Sequence, residues 1–399
     1  MGKNYQTGEQ VPSTQPPREP LLIVGASVRA AACSAIRAGF APLAADKFAD
    51  TDLAAACPTR RVADYPRSLL AAVADWPPCG WMYTGALENH LALVDTLRSR
   101  QPLYGNPGPV LRQVRDPFLW TAALREAGLP YLDVAPLPPA SGGAWLRKPW
   151  DSCGGSRIEF AEERDCVPSH GEAIRRRRPS CYFQRYQPGL TGSAVYVANG
   201  QRAVLLGATQ QLTGTDWTGA RGFQYAGSVG PLPLDGNAEQ MLIQLGECLT
   251  GRFGLAGLFG VDWILAGGVV WPVEVNPRYT ASVEVLEQAL LLPAVAWHVS
   301  ACRAGSLPTP LVTDGSRYVG KAIVYAGSDV TVPDDLEGFV RETNADYEWP
   351  CLADVPAAGQ RIPTGQPILT ALAAASTLAE AEQGLREFVR TVQARLGGA

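Results

Sequence analysis

Two carboxylates and an amide in the second half of the chain are of the types that hold a hard divalent cation. Asp262 follows Gly260-Val261, and Glu274 and Asn276 come after a Gly267-Gly268 turn. Oxygen ligands of this kind suit Mg²⁺, which keeps its other positions for water and phosphate oxygens. Glu274 and Asn276 share a strand face, because alternate residues do. Asp262 joins them only in one register. A two-residue turn at Gly267-Gly268 pairs Asp262 with Val273, whereas a three-residue turn through Val269, or a bulge near Pro272, pairs it with Glu274. We expect the second pairing. Acids on a solvated hairpin are the plainer reading, disfavoured because the flanking residues are apolar.

A cation precedes these acids. Leu146-Arg147-Lys148-Pro149 runs into Asp151-Ser152-Cys153-Gly154-Gly155-Ser156. A strand lysine beside a glycine loop puts one ammonium and several backbone N–H groups on a shared anion, as a triphosphate requires. A plain hairpin with a snorkelling lysine explains the same residues about as well. Near the N-terminus, Gly25-Ala26-Ser27-Val28 with Asp46 beyond it only loosely follows a dinucleotide-binding turn, since Ser27 stands where a glycine must let the backbone approach pyrophosphate. Glu88-Asn89-His90 and the acids Asp46, Asp50 and Asp52 could face an amine, although helix capping and loop solvation are the more economical reading.

Composition narrows the partners. With 34 basic and 38 acidic residues the net charge is -4, and the one basic run, Arg175 to Arg178, reads as a solvated loop or helix end, so nucleic acid and membrane are not expected. Nine cysteines, dispersed and without a C-x-x-C pair, argue against a disulfide framework or a zinc ribbon. Three separated histidines disfavour a histidine metal site or triad. No export signal or spanning segment is evident, so a cytoplasmic location is expected.

The elements that must position these residues change character along the chain. Residues 1–20 are polar and proline-rich and read as a disordered tail. From Leu21 a β-α-β alternation suggests a parallel sheet covered by helices, ending at the Gly/Pro-rich stretch Pro102 to Pro109. An amphipathic helix over Pro117 to Gly128 follows. From Trp145 the pattern becomes strand pairs separated by glycine turns, with helices expected at Ala238 to Phe253 and Val283 to Ala301. Strands at Tyr318 to Tyr325 and Ile368 to Ala371 and a helix from Leu378 to Leu396 close the chain.

Lys148 with its glycine loop, the strand ending Phe183-Gln184-Arg185-Tyr186-Gln187-Pro188-Gly189, and Asp262 with Glu274-x-Asn276-Pro277-Arg278, in that order, resemble the ATP-grasp superfamily. The resemblance covers nearly the whole chain. It implies an α/β plus α+β fold: a Rossmann-like N-terminal domain over 21–104, linking helices and two ATP-grasp lobes over 105–305, and a small C-terminal lobe over 306–399. It also implies ATP and Mg²⁺ as cofactors. Lys148, Gly154 and Gly155 would then contact phosphates, backbone groups of Gln184, Arg185 and Tyr186 would read adenine, and Asp262, Glu274 and Asn276 would hold Mg²⁺. Arg278, with Lys148, would act on the reacting acyl phosphate. Many members carry a further phosphate-contacting lysine in the linking-helix region; here Arg115-Asp116-Pro117 stands there, and Arg115 is the candidate substitute.

The chemistry implied is carboxylate–amine ligation through an acyl phosphate, releasing ADP and phosphate, with a small-molecule carboxylate and amine as partners and a homodimer compatible with it. Asp46-Lys47-Phe48-Ala49-Asp50, Gly85-x-x-Glu88-Asn89 and Glu274 to Val283 resemble a branch of carboligases that includes enzymes of tetrahydromethanopterin-linked and methanofuran-type one-carbon cofactor pathways. That branch implies glutamate or a similar amino acid as substrate. Carboxylation through carboxyphosphate, and nucleotide binding without turnover, are the alternatives.

Overall fold

Parallel pairing at the N-terminus follows from strands joined by helices. In the computed structural model, which describes residues 18–138, 143–162, 180–309 and 316–397, strands β1 (Pro20–Gly25), β2 (Ala41–Asp46), β3 (Thr59–Arg61) and β4 (Gly80–Tyr83) form a parallel sheet in the order β3-β2-β1-β4. Helices α1 (Arg29–Arg37), α2 (Thr51–Ala56) and α3 (Leu69–Ala72) connect them. Both faces of β1 are buried. Leu21 and Ile23 pack with α1, while Leu22 and Val24 pack with Trp81 and Tyr83 on the other side. The turn after β1 is tightly packed at Gly25, where a Cβ would lie 1.9 Å from Thr84 Oγ1, and Asp46 accepts backbone N–H bonds from Val28, Phe48 and Ala49. Both oxygens of Asp46 are thus taken up by backbone amides. The basic run Arg175 to Arg178, Cys166 and most of the expected tail lie outside the described residues.

Helices α4 (Leu91–Arg98), α5 (Gly108–Val114) and α6 (Pro117–Glu126) lead out of this sheet. Helix α6 starts on an Asp116 cap that accepts the Phe118 N–H, with Pro117 at its first position, where a missing N–H costs nothing. A small antiparallel sheet follows, ordered β5-β8-β6-β7, from β5 (Val134–Ala135), β6 (Trp145–Pro149), β7 (Glu159–Phe160) and β8 (Cys181–Arg185).

The larger sheet has eight strands in the order β13-β12-β9-β10-β11-β14-β18-β16. Its first half comprises β9 (Leu190–Asn199), β10 (Ala203–Thr213), β11 (Tyr225–Gly230), β12 (Ala256–Ala266) and β13 (Val269–Asn276), with α7 (Gly236–Phe253) between β11 and β12. Period-two burial divides β9 cleanly. Ala194, Tyr196 and Ala198 pack under α6 and α7, and Val195 and Val197 pack under α8 (Ala281–Leu290) and α9 (Ala294–Ala304). The same α8–α9 layer meets Leu21, Ile23 and α1, which fixes the N-terminal sheet against the larger one.

The single helix expected over Val283 to Ala301 is two. Leu291 takes a left-handed φ of 54°, Pro293 cannot continue the helix, and α9 leaves α8 at 112°. Among the described residues no single helix is long and apolar enough to cross a membrane.

The C-terminal segment, expected as a small lobe, adds β14 (Tyr318–Tyr325), β15 (Val330–Thr331), α10 (Leu336–Asn344), β16 (Leu352–Ala353), β17 (Arg361–Ile362), β18 (Pro367–Ala375) and α11 (Leu378–Arg395). Strand β14 pairs with β11, so the larger sheet runs on through β18 to β16, while α10 and α11 cover that end with a core of their own.

Candidate functional site

The β12–β13 hairpin shows how the two acids meet. Gly267 and Gly268 both have positive φ, 59° and 75°, and make a two-residue turn between the paired Ala266 and Val269. That turn alone would set Asp262 against Val273. A bulge corrects it: Trp263 pairs with Pro272 and Asp262 with Glu274, leaving Val273 unpaired. Of the routes to this register that the sequence allows, the structure uses the bulge and not the longer turn. Pro272 has no N–H to give the ladder, so the irregularity falls where regular pairing is already weakened. The bulge also frees the Val273 carbonyl, which accepts from Lys148 Nζ at 3.1 Å.

Lys148 is buried on β6, and its ammonium also donates to Gln184 Oε1 at 3.0 Å on β8. The bond to Val273 ties the small sheet to the larger one beside a cavity of about 610 Å³. Lys148, Asp262, Glu274, Asn276 and Arg278 all line it.

The carboxylates differ in charge state. Burial, with Glu274 alongside, pushes Asp262 up to about 6, although it accepts bonds from Gln211 Nε2 at 2.9 Å and Asn276 Nδ2 at 3.0 Å. For Glu274 burial acts in the same upward direction, but Arg115, Lys148 and Arg278 outweigh it and hold the group below the usual carboxylate range. Arg115 bonds Glu274 at 2.7 Å. Uncompensated charge on Asp262 and a paired acid facing it fit a divalent cation. The fit is less complete at Asn276, whose Oδ1 accepts from Arg278 Nη2 at 3.1 Å. Among the described residues no three acids, histidines or cysteines gather in metal-binding reach, so a cation here rests on two carboxylates, with the amide and a ligand's oxygens completing it.

Arg115 does not reach the large cavity. It lies behind Glu274 beside a hollow of about 20 Å³, and its second nitrogen donates to Asn89 Oδ1 at 3.1 Å and to the Ser152 carbonyl at 3.3 Å. Arg278 is held by Glu88, Nε to Oε1 at 2.6 Å. The Glu88-Asn89 stretch therefore aims one arginine and anchors another, in place of the capping or solvation expected for it. Sequence patterning missed this role because Glu88 and Arg278 are 190 residues apart, although the polar cluster Glu88-Asn89-His90 stood out.

The glycine loop closes one side. Gly154 accepts a backbone bond from Tyr225 at 3.0 Å, and Gly155, at φ 73°, sits so close that a Cβ would fall 1.8 Å from the Phe223 carbonyl oxygen. Phe223 in turn packs edge-on against Phe160 and Tyr186. On β8, the N–H groups of Arg185 and Tyr186 are bonded to the carbonyls of Asp133 and Ala144. A base lying against this stretch must look to other backbone groups, which narrows the expectation that Gln184 to Tyr186 as a whole would read it.

A lysine and a glycine loop facing paired acids across a cleft is an arrangement for holding a polyphosphate and a cation together. Residues 115–282 match the model of the ATP-grasp domain family. No protein of curated function matches the chain. Similar solved structures include an ADP complex of N5-carboxyaminoimidazole ribonucleotide synthetase, at TM-score 0.66 and 15% identity over 95% of this chain and 98% of that one. A biotin carboxylase–β-γ-ATP complex from Campylobacter jejuni gives 0.66 and 12% over 90% and 88%. An L-amino acid ligase from Bacillus licheniformis gives 0.66 and 14% over 94% and 98%. At these identities the likeness is one of fold.

Proposed function

We propose that this chain, whose residues 115–282 match the ATP-grasp domain family, is an ADP-forming carboxylate–amine ligase. One observation carries the reading: Lys148, Asp262, Glu274 and Arg278, drawn from both sheets, converge on a single cavity. A carboxylate oxygen attacks the γ-phosphorus of ATP and ADP departs; an amine nitrogen then attacks the acyl carbon, phosphate leaves, and the nitrogen's surplus protons pass to solvent.

Phosphoryl transfer asks for positioning and fixed positive charge more than for a side-chain nucleophile. Lys148 offers its ammonium from a strand, immobilised by Gln184 and the Val273 carbonyl. Arg278 offers a guanidinium that Glu88 and Asn276 orient. Asp262 and Glu274 would hold Mg²⁺, whose charge offsets that of the phosphates. Arg115 keeps Glu274 ionised from behind. Cys153, near Arg278, is no nucleophile: burial pushes its thiol up to about 11.

The test uses hydroxylamine in place of the amine, with a panel of small acids and MgATP. The reading expects an acid hydroxamate formed in step with ADP. ADP without hydroxamate, or no ADP with any acid, counts against it. Carboxylation through carboxyphosphate is the second reading, supported by fold neighbours that include a biotin carboxylase and extend over the C-terminal segment; it expects labelled bicarbonate in the product. Glutamate or another amino acid remains the substrate to try first.

A further inference from the structure

The same cavity extends to the N-terminal sheet, where Ser27, Phe48, Asp50, Thr84, Lys321 and Asp354 line it. Asp50 is unusual there. It occupies the N-cap of α2, where an aspartate ordinarily accepts an N–H from the first turn, yet its side chain makes no such bond. Among the described residues no hydrogen bond or ion pair holds its carboxylate, although the residue is only 9% exposed. Buried acids are normally paired.

The surrounding charges leave it without a partner. Asp46 is committed to three backbone amides, and Asp52 to the amides of Asp354 and Val355. Arg29 serves Asp354 and Glu284, and Lys321 serves Glu284. Lys47 is exposed and lies over the Phe48 ring. Five carboxylates (Asp46, Asp50, Asp52, Glu284 and Asp354) thus share two buried cations. Burial pushes Asp50 up to about 8, and Asp354, Asp46 and Asp52 push the same way while Arg29 opposes them. This end of the cavity repels an anionic substrate and favours a cation. Ala26, Ala30 and Phe48, from the first two βα units, give it apolar walls.

We propose that Asp50 is the recognition site for the ammonium group of the amine substrate, a primary ammonium carried on an apolar stem. The assignment to a substrate rests on the ligase reading above; the ammonium site itself does not. The acid substrate is left the stretch beside Arg278, which adjoins Gly85 on the same side of the cavity, and the bound nitrogen gives up a proton to solvent before it attacks.

The test is titration calorimetry of the full chain, without nucleotide, using butylammonium and benzylammonium chlorides against 1-butanol and benzyl alcohol. The ammonium compounds should bind at least about tenfold more tightly than the alcohols, and Asp50→Asn should erase the difference. Alcohols binding as well as their ammonium counterparts would overturn the proposal. So would unchanged ammonium binding in Asp50→Asn, or no ammonium binding up to about 10 mM. Thermal melting checks that the variant is folded; if it is not, the comparison of ammonium with alcohol on the unaltered protein decides alone. MgATP titrated into the unaltered protein separates the two claims: its failure to bind removes the ligase reading and leaves the ammonium result standing.

Discussion

Lys148, proposed above as the cation that meets phosphate, is also a structural one. Its ammonium bridges Gln184 and the Val273 carbonyl, so Lys148→Ala should lower ADP release about a hundredfold, roughly 3 kcal/mol of transition-state stabilisation. The same substitution leaves Gln184 Oε1 short of a donor, and a drop in melting temperature equivalent to about 1–3 kcal/mol should accompany it. A hundredfold loss with no thermal change would show that the two bonds hold nothing. Glu88 makes the complementary case. Glu88→Gln keeps the shape but exchanges a charge-assisted bond to Arg278 for a neutral one, so kcat should fall about tenfold with a smaller change in KM for ATP. A change confined to KM would place Arg278 in ground-state binding. Residue type and spacing made Lys148, Asp262, Glu274 and Arg278 visible in the sequence. Glu88 and Asn89 also stood out, but their role did not, because what they do is set by arginines that only the folded chain brings to them.

At the scale of elements, the glycine loop and the β12–β13 bulge fix the geometry. Gly154 and Gly155 look alike in sequence, and both take positive φ, but only Gly155 is pressed against the Phe223 carbonyl. Gly155→Ala should therefore displace the loop and raise KM for ATP at least about tenfold. Gly154→Ala meets open space and should cost only about 1–2 kcal/mol of backbone strain, with KM nearly unchanged. Equal effects would mean that docking on Phe223 is unimportant. The bulge was one of two routes foreseen to the Asp262–Glu274 pairing; the turn residues could not choose between them, since Gly-Gly suits loops of either length. The break between α8 and α9 was harder to read. Apolar residues continue on both sides of Pro293, so hydrophobic periodicity alone ran the two helices together.

The whole molecule is joined across distant segments. The parallel sheet and the glycine-turn strand pairs could be read locally, whereas the partnership of β14 with β11 could not, because the long stretch between them carries no mark of it. His298 is one such join: on α9, it accepts the Leu258 N–H at Nδ1 and bonds the Tyr104 carbonyl through Nε2. Burial holds its pKa at about 4, below the ordinary 6.5. Between these values the unfolded chain takes up a proton that the native chain refuses. Stability from this group is complete above pH 6.5 and is lost as pH falls toward 4, about 3 kcal/mol in all. Buried Asp50 and Asp46, whose carboxyls are pushed up, oppose this trend by favouring the native state at lower pH. Melting curves of the unaltered protein and His298→Gln across pH 4 to 7 should isolate the difference, with the variant losing less on acidification. Parallel curves would mean that His298 protonates without opening the join.

The central claim is that a substrate carboxylate is phosphorylated in the cavity between the two sheets, and oxygen transfer reads that step itself. The acid that supports ADP release, labelled with ¹⁸O in its carboxylate, would be turned over with MgATP and amine, and the phosphate analysed by mass spectrometry. One ¹⁸O should pass to each phosphate released, because the oxygen that attacked phosphorus leaves with it. Phosphate free of label, with ADP still formed, would mean that ATP is hydrolysed by water and that no acyl phosphate exists.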